Sequence, residues 1–314
     1  MKRYLPLFLV ALISILFYSC SNDEKKSEEK ETTGVAYTST KEKYNFEWFE
    51  NYWGNSCDYV GGMANFVIRH TLADSMINHY DTIYDKDDAD QSINALLNNY
   101  WIDSCTIFAI SKYLKTTAKY DGIRFSFGCS TIKEPGSYPG QQYQNTSTIF
   151  IYPTTISATG HKDSTEIVIP VPNCTTSNYI KPYPEASGKI SVFDKIYRKR
   201  SKPGNPALKD SLSQGVWIDS CVVYFIEKLI RENKDTLDGV NIKLAAYLGN
   251  ETTSPRGKFK PHQSTMIIVP TSPAQGDPNT HIDNWEIIEI LMKKKAKAFS
   301  AGLNHGELCP NKCD

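Results

Sequence analysis

After residue 20 this 314-residue chain has no apolar run approaching the ~20 residues that a membrane-spanning helix requires. It also has no excess charge of either sign, with 35 basic side chains against 35 acidic ones. That balance argues against a nucleic-acid binder, whose domains read as strongly basic. Its 18 Gly and 16 Pro are too few for a collagen or a linker protein, and 40% hydrophobic residues is too many for a wholly disordered chain. No Gly-x-Ser-x-Gly, P-loop or dinucleotide fingerprint occurs, so the common hydrolase and nucleotide-binding signatures are missing. The length suggests about two domains at ~150 residues each.

What is present begins with an address. Lys2 and Arg3 precede an apolar stretch from Leu5 to Tyr18, and Ser19-Cys20 stands where a signal peptidase would cut. The segment resembles a relaxed bacterial lipobox of the Bacteroidota type, although Phe17 and Tyr18 replace the usual small or aliphatic residues. The resemblance implies that residues 1–20 are a signal peptide and that Cys20 becomes the acylated first residue, carrying fatty acid such as palmitate. Residues 21–34 contain no apolar side chain apart from the closing glycine, so burial cannot offset their ordering entropy. We read 21–43 as a tether, spanning ~25–30 Å as a flexible chain. The acidic cluster after Cys20 resembles the signal that sends such lipoproteins to the outer face of the outer membrane; the periplasmic face is the alternative. Without Lys2 and Arg3, 33 basic groups face 35 acidic ones.

The body repeats itself. Trp101-Ile102-Asp103-Ser104-Cys105 recurs as Trp217-Ile218-Asp219-Ser220-Cys221. Asp121-Gly122-Ile123 recurs as Asp238-Gly239-Val240, and Ser147-Thr148 with Pro153 as Ser264-Thr265 with Pro270. The offset is 116 in the first block and 117 in the others. Three ordered blocks at one spacing imply a duplication, with unit 1 over 44–172 and unit 2 over 173–314.

Within each unit the pattern predicts helix, helix, strand, loop, strand, an α+β fold with antiparallel pairing. Met63–His79 and Ile190–Lys202 read as amphipathic helices. Ile107, Ile110 and Leu114 share a helical face after an Asp103 cap, as do Val223, Ile226 and Ile230. Asp-Gly reads as a turn, followed by an alternating strand at Ile123–Phe127 and Val240–Leu244. A second strand, Thr148–Tyr152 or Thr265–Val269, is expected to end at proline.

His161-x-Asp163-x-x-Glu166 recurs as His281-x-Asp283-x-x-Glu286. Together with His305 these residues are the candidate polar cluster of an enzyme or metal site. The plainer account is a capping box, in which Asp283 and Glu286 start the helix through Ile287, Ile290 and Leu291. The first occurrence runs into Pro170 and Pro172 and should not be helical.

Setting Cys20 aside leaves seven cysteines, an odd number for an oxidising compartment. Cys105 and Cys221 read as buried thiols acting as small hydrophobes. Cys309 and Cys313 suit a small disulfide loop, favoured over a zinc site with His305 because no fourth ligand is near. Cys57, Cys129 and Cys174 stay unassigned. Ser130-x-x-Lys133 matches the penicillin-recognising motif but follows a strand and lacks its partners. Asp85, Asp87, Asp88 and Asp90 lack the glycine of a calcium loop and suit the acidic start of a helix at Gln91–Tyr100. Lys195, Arg198, Lys199, Arg200 and Lys202 read as a solvated face.

The strand Asp121–Gly128, the loop Tyr138-Pro139-Gly140, the strand Thr148–Thr154 and the ending from Asn304-His305-Gly306 to Cys313 resemble uncharacterised secreted or lipid-anchored Bacteroidota proteins. Asn241 departs from the arginine expected in their strand, and Pro255-Arg256 from Tyr138-Pro139. The resemblance implies fold and address and no activity. The expectation is therefore a cell-envelope lipoprotein that binds, scaffolds or adheres, with a protein or glycan ligand, no nucleic acid and no cofactor. The alternative is a secreted hydrolase or metal-dependent enzyme using the His-x-Asp-x-x-Glu pair.

Overall fold

The computed structural model describes Tyr44, almost all of residues 67–84, 99–130, 146–168, 180–193, 213–248 and 262–298, and the pair Leu308–Cys309. The expected signal peptide and tether, Cys57, Cys174, His305 and Cys313 lie outside these residues. The body falls within one compact unit, Lys43–Asp314.

The fold is α+β with antiparallel sheets. One sheet has the order β1 (Asn99–Asp103), β8 (Gly239–Ala246), β9 (Ser264–Ala274), β10 (Asp277–Asp283). The other has the order β11 (Leu308–Cys309), β7 (Gly215–Asp219), β2 (Gly122–Ser130), β3 (Thr146–Ser157), β5 (Glu166–Val168), β6 (Ile180–Pro182), with β4 (Gly160–Asp163) also on β3. The described helices with defined bounds are α1 (His70–Tyr84), α2 (Ser104–Thr116), α3 (Ser220–Glu232) and α4 (Trp285–Ala298).

The Trp-Ile-Asp blocks are strands, which the sequence reading missed. Aromatic and β-branched residues favour a pleated surface, and each Asp then caps the following helix. Asp103 accepts from the Thr106 amide at 2.9 Å, and Asp219 from the Cys221 amide at 2.7 Å. Each of these strands joins the sheet built by the other repeat block. Tyr100 pairs with Ile242, and Val216 pairs with Phe125. The amide of Ser104 then donates to Asp238 O at 2.9 Å, and that of Ser220 to Asp121 O at 3.0 Å. The two halves are thus cross-stitched through their first strands.

Several other expectations are corrected. The first helix is His70–Tyr84, shifted towards the C-terminus from Met63–His79. Asn99 and Tyr100 are strand residues rather than the end of a helix from Gln91, and 91–98 lie outside the described residues. Of the expected helix Ile190–Lys202, Ile190, Ser191 and Phe193 are described and helical, and residues 186–189 before them are helical too. Pro153 and Pro270 do not end their strands. Each stands within its strand, opposite Ile123 or Val240, one residue before that strand begins to pair with the next one at Thr154–Asp163 or Thr271–Asp283. Asp283 does not cap α4: it closes β10, and Asn284 caps instead, its Oδ1 accepting from the Ile287 amide at 3.1 Å. Cys105 and Cys221 are disulfide-bonded rather than thiols, and Cys129 is a buried thiol.

One core serves both sheets. Ile107, Val223 and Ile226 from α2 and α3 meet Ile123, Phe125 and Ile218 from one sheet and Val240 and Ile242 from the other. The helices run antiparallel across each other, since Phe108 meets Arg231 while Lys115 meets Tyr224 and Glu227.

Candidate functional site

Asp121 precedes β2, Thr154 follows Pro153 on β3, and His161 stands on β4, so the β2–β3–β4 register brings them to one spot. Trp217 reaches the same spot from β7. Its indole N–H donates to Thr154 Oγ1 at 2.9 Å, Thr154 donates to Asp121 Oδ1 at 2.7 Å, and His161 Nδ1 meets Asp121 Oδ2 at 2.8 Å. The imidazole lies flat on the Trp217 ring, centroids 3.6 Å apart.

The same quartet recurs in the other sheet. Trp101 donates to Thr271 at 3.1 Å, Thr271 to Asp238 Oδ1 at 2.6 Å, and His281 Nδ1 meets Asp238 Oδ2 at 2.7 Å. His281 stacks on Trp101 at 3.4 Å. In both quartets the tryptophan comes from the opposite half of the chain. Trp217 is 3% exposed, whereas Trp101 is of intermediate burial.

The glycine of each Asp-Gly pair exists for this packing and not for a turn. A Cβ on Gly122 would stand 2.8 Å from Trp217 Nε1, and one on Gly239 would stand 2.8 Å from Trp101 Nε1. Only a bare Cα lets the indole lie there.

Asp163 and Asp283 sit two residues beyond the histidines, on the same strand face. Arg124 Nη1 holds Asp163 Oδ1 at 2.8 Å, and the same guanidinium donates to His161 O. Burial pushes the Asp163 carboxyl up, against the pull of Arg124. In the second quartet Asn241 replaces that arginine and donates to Asp283 Oδ1 at 2.5 Å. Lys243 supplies the missing charge, 2.6 Å from Asp283 Oδ2. Burial also raises the Asp121 carboxyl, but hydrogen bonds from His161 and Thr154 outweigh it, and the net direction is down.

Glu166 does not join the quartet; it accepts from Tyr113 at 3.1 Å. Burial, then Tyr120, then this carboxylate push the Tyr113 hydroxyl well above its ordinary range. Glu286 lies in the first turn of α4, where a carboxylate suits the helix N-terminus.

The structure therefore brings together neither the seven candidate residues nor the two histidines of the repeated motif. His161, Asp163 and Glu166 belong to one sheet, His281 and Asp283 to the other, and His305 lies outside the described residues. The residues the histidines do meet (Asp121, Thr154 and Trp217, with Asp238, Thr271 and Trp101) were not singled out as a set. The signal was available, because all six fall in or beside the recurring blocks.

Chemically, each quartet is a closed chain. The Thr hydroxyl accepts from the indole and donates to Asp, so it is committed and not a nucleophile in waiting. The carboxylate spends one oxygen on Thr and one on His, which fixes the ring. Among the described residues, no group of three or more His, Cys, Asp or Glu side chains is placed to hold a metal ion.

No family model, no curated protein and no solved structure matches the chain. The likeness to Bacteroidota envelope proteins rests on the quoted motifs alone.

Proposed function

We propose that this chain is a lipoprotein of the bacterial cell envelope, anchored at the outer membrane through Cys20 and facing the cell exterior. Its body is a tandem duplication that binds or scaffolds a protein or glycan partner. The observation that carries the non-catalytic reading is the dispersal of the polar groups. An enzyme must bring acid, base and nucleophile to one pocket. Here the two histidine motifs sit on different sheets, and each is consumed in holding a tryptophan.

The duplication is supported by contacts that recur at the sequence offset. Trp-Thr, Thr-Asp and Asp-His bonds all appear twice, as do the cross-stitching amides of Ser104 and Ser220. A doubled unit presents related surfaces twice, which favours bivalent engagement of a repetitive ligand. The hydrolase or metal-enzyme alternative has no observation in its favour beyond the motif itself.

Cell fractionation tests the anchor. Wild type should sediment with membranes and Cys20→Ser should be released; an equal distribution of the two removes the lipid assignment. Trypsin added to intact cells should cut the Lys-rich tether, and protection that is lost on lysis would move the protein to the periplasmic face. For the body, the full chain should bind surface glycans or envelope proteins without turning them over. Hydrolysis of a glycan or peptide panel that is lost in both His161→Ala and His281→Ala would replace this reading with the enzymatic one.

A further inference from the structure

β10 is the last strand of its sheet, and among the described residues no strand pairs with its outer edge. We propose that this edge joins a second copy of the chain, β10 against β10, antiparallel and centred on Ile282.

The pairing with β9 shows which backbone groups face outward. Ile282 pairs with Ser272, and the next amide turned towards β9, that of Asn284, donates to Pro270 O at 2.7 Å. Successive residues of a strand turn their N–H and C=O to opposite sides, so those of His281 and Asp283 face away from β9. The side chains of these two residues do not overhang the edge. His281 leans back over the sheet onto Trp101 and Asp238, and Asp283 onto Asn241 and Lys243. Between them Ile282 is 54% exposed.

The other half of the chain blunts the same edge twice. In β4 the residue between His161 and Asp163 is Lys162, an exposed charge of the kind that keeps edge strands apart. The carbonyl of His161 is taken by the Arg124 guanidinium. In the second half Ile282 replaces the lysine and Asn241 replaces the arginine, and the shorter amide stops at Asp283 Oδ1. Both devices are missing from one place, which leaves an apolar side chain on an open edge.

That edge is its own complement. With Ile282 facing Ile282 of the second copy, His281 stands opposite Asp283 on both sides of the two-fold axis. Each of these pairs can exchange both N–H···O bonds, while the two Ile282 residues form the close kind of pair, Cα atoms about 4.5 Å apart. An imidazole faces a carboxylate twice, and no like charges oppose. The ladder is confined to His281–Asp283, because the register of β10 shifts before His281 and α4 begins at Trp285. Association is therefore expected to be reversible and concentration-dependent. It requires neither the Cys20 anchor nor a glycan ligand.

The test uses the full chain purified in detergent, by crosslinking and by sedimentation equilibrium. In Ile282→Cys the paired Cα atoms fall within disulfide range, so a covalent dimer should appear on a non-reducing gel. Lys162→Cys, at the matching place on the blunted edge, should give none. The unmodified chain should self-associate, and Ile282→Lys, which restores the residue of the other half, should weaken this about tenfold or more by opposing like charges. Ile156→Ser should change nothing, although Ile156 is 77% exposed. Ile282 lies at the surface, so its replacement leaves the core intact. A monomeric wild type, association that survives Ile282→Lys, or equal crosslinking of the Lys162→Cys variant overturns the proposal. So does an Ile282→Cys adduct with a different protein in intact cells, which would give the edge to another partner.

Discussion

The Ser111 hydroxyl donates to the Glu227 carboxylate at 2.6 Å, and the two residues are themselves one repeat offset apart. They mark the crossing of α2 and α3, from which the contacts fan out in matched pairs. Arg231 lies over Phe108 at 4.1 Å on one side, and Lys115 over Tyr224 at 4.9 Å on the other. At the crossing itself the match breaks, since a hydroxyl faces a carboxylate. Glu227 also takes Lys115 at 2.5 Å and Arg231 at 2.8 Å.

That carboxylate gives a pH prediction. Burial raises it, but hydrogen bonds from Lys115, Ser111 and Arg231 outweigh burial, so its pKa falls below the ordinary value. A carboxyl lowered on folding stabilises above its unfolded pKa and loses that contribution as pH falls through the folded one. Glu227→Gln should cost about 1–3 kcal/mol at pH 7. It should also flatten the loss of stability below about pH 4.5, the ordinary glutamate range. Denaturant melts from pH 7 to pH 3 that run parallel in both proteins would show that the crossing is not electrostatic.

The quartets are tested through their tryptophans. Trp217→Ala should cost ~3–5 kcal/mol as a large aromatic removed from a core. Trp101→Ala should cost less, because that ring is half-buried. Trp217→Phe keeps the stack and deletes the donor, leaving Thr154 without its indole partner. A loss of about 1–2 kcal/mol is expected. In a double-mutant cycle with Thr154→Val the two losses should be non-additive; strict additivity would mean the bond contributes nothing.

Gly122→Ala and Gly239→Ala should each be destabilising although both glycines begin strands, where alanine is ordinarily no worse. The added methyl meets the indole and the facing carbonyl of Ile218 or Ile102. Thermal melting checks this, and a melting temperature at or above wild type in either variant would contradict the close approach.

Cys105 and Cys221 are not bonded to each other. They sit six residues from the crossing on opposite sides, roughly 18 Å apart along antiparallel helices at 1.5 Å rise per residue, far beyond disulfide reach. Cys57 and Cys174 are separated by the same 117-residue offset as the repeat blocks. A non-reducing peptide map should therefore join Cys57 to Cys105 and Cys174 to Cys221, leaving Cys309 and Cys313 for each other. That pairing also removes the odd count, since Cys129 is a thiol and the proposed acylation would account for Cys20. Any peptide joining Cys105 to Cys221 would refute the antiparallel crossing as well.

The sequence carried the helical faces of α2 and α3 and the alternation of β2 and β8, because both are periodic and each faces one core. It concealed β1 and β7, which are five residues long and run straight into a helix, so neither period has room to register. The His-x-Asp-x-x-Glu spacing invited a capping box, and nothing local could reveal that Asn241 and Lys243 would claim Asp283. The cross-stitching was illegible for a deeper reason. Periodicity reports which way a residue faces and is silent on which half of the chain it will face.

The exchange of first strands governs the order of events after synthesis. A chain that emerges N-terminus first can close the β2–β3 hairpin at once, yet β1 must wait for β8 and the edge of β2 must wait for β7. Both waits end only when residues 215–246 have arrived. Pairings this distant in sequence fold slowly and leave open edges that recruit other chains. A product truncated anywhere before Gly215 would thus carry an unfilled edge on β2 and a homeless β1, and its fate is aggregation or degradation rather than a working half. Quality control of this chain is therefore nearly binary: the cell keeps the whole body or none of it.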